Sequence, residues 1–357
     1  MIEIDGSMLE GGGQILRMTV ALSAVTGVPV KIFNIRAKRE NPGLRAQHMT
    51  AIRAVASLVN AEVKGLALGS MELTFRPKTV KGGSFRFDVG TAGSTTLVLQ
   101  SLLPVAAFAP SKINVEIVGG TDNPLAPPVD YVIHVLKPAV AKMGYNFEAN
   151  LLRRGFYPKG GGIVRTTTVP VPKLAPIRLE EQGEVKSVRG ISYSSRLPDH
   201  IAKRMADSAS KLLKKARLEA DIEVEVLQPG HPKCALSPGC GIVLWAETTS
   251  GAVLGSDNLG EVGKPAEKVG EEVAKKLLDE VEGGATVDRH LADQLIVYMA
   301  LAEGESIIKV SELTMHVLTC IELSKKLLPQ ASFEVVEGRP KTIVCRGAGL
   351  KNKFLKD

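Results

Sequence analysis

Aromatic side chains are scarce, at 4% of 357 residues with a single Trp. So thin a supply argues against a surface on which several bases stack in succession. Cysteine is scarce too: Cys234, Cys240, Cys320 and Cys345 are the only four. That is too few to staple a chain of this size. Cys234 and Cys240 lie close in sequence, but no second pair or neighbouring histidine completes a zinc pattern, so all four are expected to be free thiols. No apolar run approaches the roughly 20 residues of a membrane span. The first residues show no charged segment leading into an apolar one of the secretory kind. A cytoplasmic protein without a membrane partner is the expectation.

The remaining composition, 44% hydrophobic and 23% charged, is that of a globular enzyme. A prior of roughly 150 residues per domain predicts about two domains. Lys and Arg number 45 against 38 Asp and Glu, a net charge of +7. This excess permits a nucleic acid or nucleotide partner without requiring one. Glycine is above average at 35 residues, as tight turns or close backbone approach to a ligand would explain.

Strand-like and helix-like segments alternate along the chain. MIEIDG reads as a strand, ILRMTVALSAVTG as a helix stopped by Gly27, and PVKIFNI as a strand. LRAQHMTAIRAVASLVNA is an amphipathic helix, SMELTFRP and GSFRFDVG are strands, and TTLVLQSLLPVAAFA is a buried helix. KINVEIVGG and PPVDYVIHVLKPAVAKMG continue the rhythm as strand and helix. The predicted fold class is α/β (α+β), with sheets packed against helices. The glycine triplets 11–13 and 160–162 hint at internal repeats. Composition changes near residue 180, and 184–285 reads as a β-α-β-β-α block containing a hairpin that turns at Thr249-Ser250-Gly251. One reading makes this block an insertion in a discontinuous domain of 1–183 plus 286–357; a tandem arrangement is the alternative.

Several constellations carry chemistry. In Glu10-Gly11-Gly12-Gly13-Gln14-Ile15-Leu16-Arg17, glycines between a strand and a helix let backbone N–H groups approach an anion. Arg17, one turn into the helix, is placed for a phosphate, and Glu10 for a Mg²⁺ or Mn²⁺ riding on phosphates. A tight turn with a solvated Glu accounts for the same residues. The loop from Asn34 to His48 brings Arg36, Lys38, Arg39 and Arg45 together, as phosphate recognition or a solvated basic loop requires. Val89–Thr96 offers small hydroxyl residues at a helix start, where capping alone is preferred over ligand contact. Pro127 and Pro128 precede a helix containing Tyr131: a rigid face opposite an aromatic, or a simple helix start. Among the six histidines, His316 stands close to a predicted helix start, where a neutral imidazole suits attack on phosphorus and a purely structural histidine accounts for the same residue. Asp293 is placed to orient an imidazole or a ribose.

Taken in order, DG…EGGGQILR, RxxRxNPGLRxQH, GTAGSTTLVLQ, GGTDNPLAPPVDY, GFYPKGGG, HLADQLI and MHVLT resemble the RNA 3′-terminal phosphate cyclase family. The resemblance runs from residue 2 to about 330. It implies ATP-dependent conversion of an RNA 3′-terminal phosphate to a 2′,3′-cyclic phosphate through a covalent histidine–AMP intermediate. It also implies a large domain of repeated βαβαβ units carrying a smaller inserted α/β domain of thioredoxin-like arrangement. Residue by residue, His316 matches the nucleophile and Glu10 the carboxylate that holds the divalent metal. Arg17, Gln100, Pro127, Tyr131, His290 and Asp293 match nucleotide contacts, with Pro127 and Tyr131 as the adenine-pocket wall. Arg36, Arg39 and Gln47 match contacts to the phosphates and RNA end. His290 stands where the family often has Tyr, and Cys320 where it often has Asn. Non-catalytic RNA-binding relatives that work in ribosome assembly lack the histidine nucleophile. Enolpyruvyl transferases, built from similar units, form no covalent nucleotide.

Overall fold

The computed structural model describes residues 1–356. The first unit comprises β1 (Ile2–Asp5), α1 (Gly13–Thr26), β2 (Val30–Phe33), α2 (Ala46–Val59), β3 (Glu62–Lys64) and β4 (Leu73–Arg76). The second comprises β5 (Gly83–Asp88), α3 (Thr95–Ala106), β6 (Ile113–Gly119), α4 (Val129–Tyr131) running through a π turn (Val132–Leu136) into α5 (Lys137–Ala141), then β7 (Phe147–Arg153) and β8 (Gly162–Thr168). Next come β9 (Val185–Ser195), α6 (His200–Lys215), β10 (Ala220–Leu227), β11 (Gly239–Thr248), β12 (Val253–Leu259) and α7 (Ala266–Glu282). The chain ends with α8 (Arg289–Leu301), β13 (Glu305–Val310), α9 (Met315–Leu327), β14 (Ser332–Val336) and β15 (Lys341–Arg346).

The sheets reveal a repeat. The first is ordered β1-β2-β4-β3 and the second β5-β6-β8-β7. In each, the first two strands are parallel and the last two close the sheet antiparallel. Each unit is thus β-α-β-α-β-β, one strand beyond the expected βαβαβ. The third sheet, β13-β15-β14, keeps the pattern without a full first strand. Its place is taken by a single parallel bridge from Arg178 to Ile307, with Leu179 N–H donating to Ile307 O and Ile307 N–H to Ile177 O. Between that bridge and α8 the chain builds β9 to α7. The glycine triplets do not mark equivalent points of the repeat: one opens a helix, the other leads into a strand.

Two apolar clusters organise the packing. One gathers the helices and sheets of the three repeats, while the other lies within 185–285, where α6 and α7 cover one face of the β10-β9-β11-β12 sheet. Strand β11 alternates between them. Ile242, Leu244 and Ala246 point to the α6–α7 side, and Val243 and Trp245 to the larger cluster. Period-two alternation with both faces buried explains why GIVLWA is apolar throughout. The block is β-α-β-β-β-α, one strand more than its sequence reading. Where one helix was expected over 127–144, a π turn intervenes. Pro138 in the following turn has no N–H for a regular i→i−4 bond, and the Lys137 N–H reaches back to Val132 O.

Polar clamps join the two clusters. Arg154, 1% exposed, donates to Asp130 at 2.8 Å, Asp122 at 3.3 Å and Glu225 at 2.8 Å, with its guanidinium carbon 3.5 Å from the Tyr193 ring centre. Burial opposes its charge, but the surrounding carboxylates hold the guanidinium protonated. Asp288 caps α8 by accepting from the His290 and Leu291 N–H groups, and also accepts from Tyr131 O–H at 2.6 Å and Gly255 N–H at 2.8 Å. Removing one partner of a buried ion cluster strands the rest, typically at about 3–5 kcal/mol. Arg154→Ala is therefore expected to lower the stability of the protein in chemical denaturation by about that amount. A change under about 1 kcal/mol, the surface-pair range, would show that the clamp carries no weight.

Candidate active site

The repeats bring helices of different units together. Helix α1 packs on α3 and α9, and α8 on α9 and α3. Where they meet, α1 supplies Gln14 and Arg17, α3 Gln100, α8 Asp293 and α9 His316. Thr314 caps α9 by accepting from Val317 N–H, which puts His316 in the first turn. Helix α1 begins at Gly13 with no side-chain cap on its N-terminus. Both helix starts direct positive dipole ends, and N–H groups without intrahelical partners, at the junction.

Gln14 is the centre of the arrangement. It is 6% exposed. Its Nε2 donates to Asp293 Oδ2 at 2.6 Å and to Cys320 Sγ at 3.1 Å, and its Oε1 lies 2.7 Å from His316 Nδ1. An ionised carboxylate only accepts, so the amide NH₂ must face Asp293 and the amide oxygen must face His316. Nδ1 then carries the imidazole proton, and Nε2 is left with a free lone pair. Cys320 Sγ is a second acceptor for the same amide.

Charge follows the same geometry. Burial pushes the Asp293 carboxyl up to about 6, against the opposing pull of His316, His290 and Arg17. At neutral pH it remains largely ionised. Burial lowers His316 below the usual histidine value; Asp293 opposes this, while Arg17, His290 and Arg39 reinforce it. The imidazole is neutral under the same conditions. Arg17 is lowered by burial to about 10 and stays charged. Its Nε donates to Gln100 Oε1 at 3.2 Å.

These groups line one cavity of about 320 Å³, which holds Arg17, Gln100, Pro127, His290, Asp293 and His316 together. Ligand pockets commonly begin at about this size. Tyr131 is not on its wall. That residue is fully buried behind the cavity, because its hydroxyl is committed to the cap of α8. Four polar lining residues were not singled out from sequence: Gln14, Gln294, Asp257 of β12 and Lys276 of α7. Asp257 and Lys276 come from a strand and a helix of the 185–285 block, and no local motif marks them.

The remaining candidates form an adjoining basic edge. Arg39 is paired with Glu10, whose Oε1 accepts from it while its buried Oε2 has no partner. The Glu10 N–H reaches Thr319 Oγ1 of α9 at 3.4 Å. Arg36 braces its own loop through Asn41 O at 2.7 Å and Gly43 O at 2.8 Å. Gln47 Oε1 accepts from Ser94 N–H at 3.2 Å and so ties α2 to the loop before α3. Beneath them lies His48, also unassigned from sequence. Burial and the cations Arg17, Arg36 and Arg45 push it down to about 3, and its Nδ1 accepts from Arg45 N–H. A side chain at Gly13 would meet His48 Nε2 at 2.3 Å, so the start of α1 requires glycine there. Among the described residues, no group of three or more His, Cys, Asp or Glu forms a cation cage. The orphaned Glu10 oxygen offers one ligand to a cation otherwise held by phosphates.

A family model described as RNA 3′-terminal phosphate cyclase matches residues 8–335. The chain is 51% identical to a protein named RNA 3′-terminal phosphate cyclase from Ignicoccus hospitalis, over 98% of this chain and 99% of that one. Proteins of the same name from Hyperthermus butylicus and Staphylothermus marinus are 52% and 49% identical, over 95% and 98% of this chain and 94% and 99% of theirs. The chain belongs to the RNA 3′-terminal phosphate cyclase family.

Nitrogen NMR of histidine-labelled protein checks the local geometry. His316 is expected as the Nδ1–H tautomer, titrating below the ordinary value of about 6.5. The Nε2–H tautomer, or a midpoint above that value, would contradict the assignment.

Proposed function

We propose that this protein uses ATP to convert an RNA 3′-terminal phosphate into a 2′,3′-cyclic phosphate, with His316 as a transient carrier of AMP. The observation that carries the reading is the chain Asp293–Gln14–His316, which leaves Nε2 bare beside Arg17 at the meeting of two helix starts.

His316 Nε2 attacks the α-phosphorus of ATP. The new N–P bond replaces the bond to the bridging oxygen, and pyrophosphate leaves. The imidazole keeps its Nδ1 proton, held by Gln14, so the developing positive charge is stabilised by the Asp293 carboxylate beyond it. Arg17 and the helix N–H groups neutralise phosphate charge. An oxygen of the RNA 3′-phosphate then attacks the same phosphorus and the N–P bond breaks, returning His316. Finally the neighbouring 2′-OH attacks the RNA phosphate, AMP departs and the ring closes, with the hydroxyl proton lost to solvent. Splitting a condensation this way gives each step a good leaving group. Gln100, Pro127, His290 and Asp293 would hold the nucleotide, and Arg36, Arg39 and Gln47 would hold the RNA end. Glu10 would ligate Mg²⁺ or Mn²⁺, which supplies charge neutralisation on the phosphates when bound.

Residues 184–285 would then be an inserted unit that closes one side of the nucleotide cavity with Asp257 and Lys276. No helix among the described residues is long and apolar enough to cross a membrane, in keeping with a cytoplasmic enzyme. A non-catalytic RNA-binding role would leave the Gln14–His316 geometry without a purpose.

Intact-protein mass after incubation with ATP and Mg²⁺ or Mn²⁺ tests the reading. The expected result is an AMP-sized gain that is lost in acid, kept in base and absent from His316→Ala. No gain in folded wild type, or an equal gain in His316→Ala, would overturn it.

A further inference from the structure

The segment Gly155–Gly162 takes no part in the chemistry above, yet it is built with care. Tyr157, Pro158 and Lys159 form the tip of a turn closed by Gly160 N–H donating to Phe156 O at 2.8 Å. Phe156 anchors it, buried under Gly239 and 6.3 Å from the Tyr193 ring. The Lys159 N–H donates to Ser237 Oγ at 3.2 Å, and Arg153 Nε to Gly161 O at 2.7 Å. With so many anchors the tip is held in one conformation.

What the tip presents is an aromatic ring and a cation. Tyr157 is 78% exposed, and only Phe354 among the other described Phe, Trp and Tyr residues is also exposed. The other rings, Phe354 apart, are buried or half-buried, and this one stands in water. Lys159 is exposed, with no carboxylate within salt-bridge distance among the described residues. Neither 153–161 nor 233–237 contains an acidic residue.

The turn is also coupled to the basic edge of the site. A side chain at Gly160 would lie 2.7 Å from Ala92 Cα and 2.8 Å from Thr91 O, so the turn rests directly on the loop before α3. That loop is bonded to Gln47 through Ser94 and packs on it at Gly93, where a side chain would meet Gln47 Cβ at 3.0 Å. A strand whose 3′-phosphate lies at Arg39 and Gln47 therefore has this surface next to its path.

We propose that Tyr157 and Lys159 form a contact for single-stranded RNA upstream of its 3′-terminal phosphate, one base lying on the phenol ring and a backbone phosphate meeting the ammonium. The inference rests on the RNA substrate of the proposed function. One ring accepts one base whatever its sequence, since every base has a π face. The scarcity of exposed aromatics limits the contact to a single stacking position.

Fluorescence anisotropy of a 5′-labelled, 3′-phosphorylated oligoribonucleotide, without ATP, tests the contact on the full chain. Tyr157→Ala is expected to weaken binding about tenfold, and Tyr157→Phe, which keeps the ring, to stay within about twofold. Lys159→Ala should reduce the slope of log affinity against log salt by about 0.7. Thermal melting confirms that each variant is folded. Unchanged affinity in Tyr157→Ala, or equal losses in the Ala and Phe variants, overturns the stacking role. Wild type that binds this RNA but gains no AMP from ATP refutes the nucleotidyl chemistry alone and leaves the comparison of variants decisive. Wild type that fails to bind the RNA overturns both.

Discussion

The site depends on a single amide. Gln14 stands between a carboxylate that only accepts and an imidazole nitrogen that must then donate, so its orientation has one solution. That solution fixes the His316 tautomer, leaves the lone pair on Nε2 in the cavity His316 lines and lends Asp293 to the ring without direct contact. A carboxylate bonded directly to Nδ1 would raise the imidazole's basicity and favour the protonated form. An amide in between orients the ring while leaving it neutral, as the proposed nucleophilic role at neutral pH requires.

This geometry requires α1, α8 and α9 to meet at fixed heights, and the repeated β-α-β-α-β-β unit provides that. Helices of different repeats converge, α1 bringing Gln14 and Arg17, α8 Asp293 and α9 His316, while their apolar faces form the larger cluster. The 185–285 block is locked against this core by Arg154 and Asp288, and it carries Asp257 and Lys276 to the rim of the cavity. Stability and site geometry share the same contacts here: the Asp288 carboxylate that caps the helix bearing Asp293 also holds the β12 backbone.

Much of this was legible in the sequence, and for physical reasons. Helix and strand periodicity, the Gly27 stop and the hairpin turn at Thr249-Ser250-Gly251 are local signals, and each stands where expected. The place of His316 in the first turn of a helix was legible, because a histidine at a helix start is chemically conspicuous. Gln14 was not, since a glutamine inside an apolar helix shows nothing until its partners, about 300 positions away, are in place. Tyr131 misled because an aromatic beside two prolines reads as a pocket wall; the buried cap that claims its hydroxyl lies 157 residues further on. Strand β7 and the π turn went unseen for a similar reason, being settled by pairing with β8 and by the missing N–H of Pro138.

The most direct test is the single-turnover rate of enzyme–AMP formation in Gln14→Leu, a variant that keeps the buried volume but removes the amide. If the amide sets tautomer and ring orientation, the rate falls at least about tenfold with ATP binding intact, as loss of an orienting partner generally costs. A rate within about twofold of wild type would contradict the account.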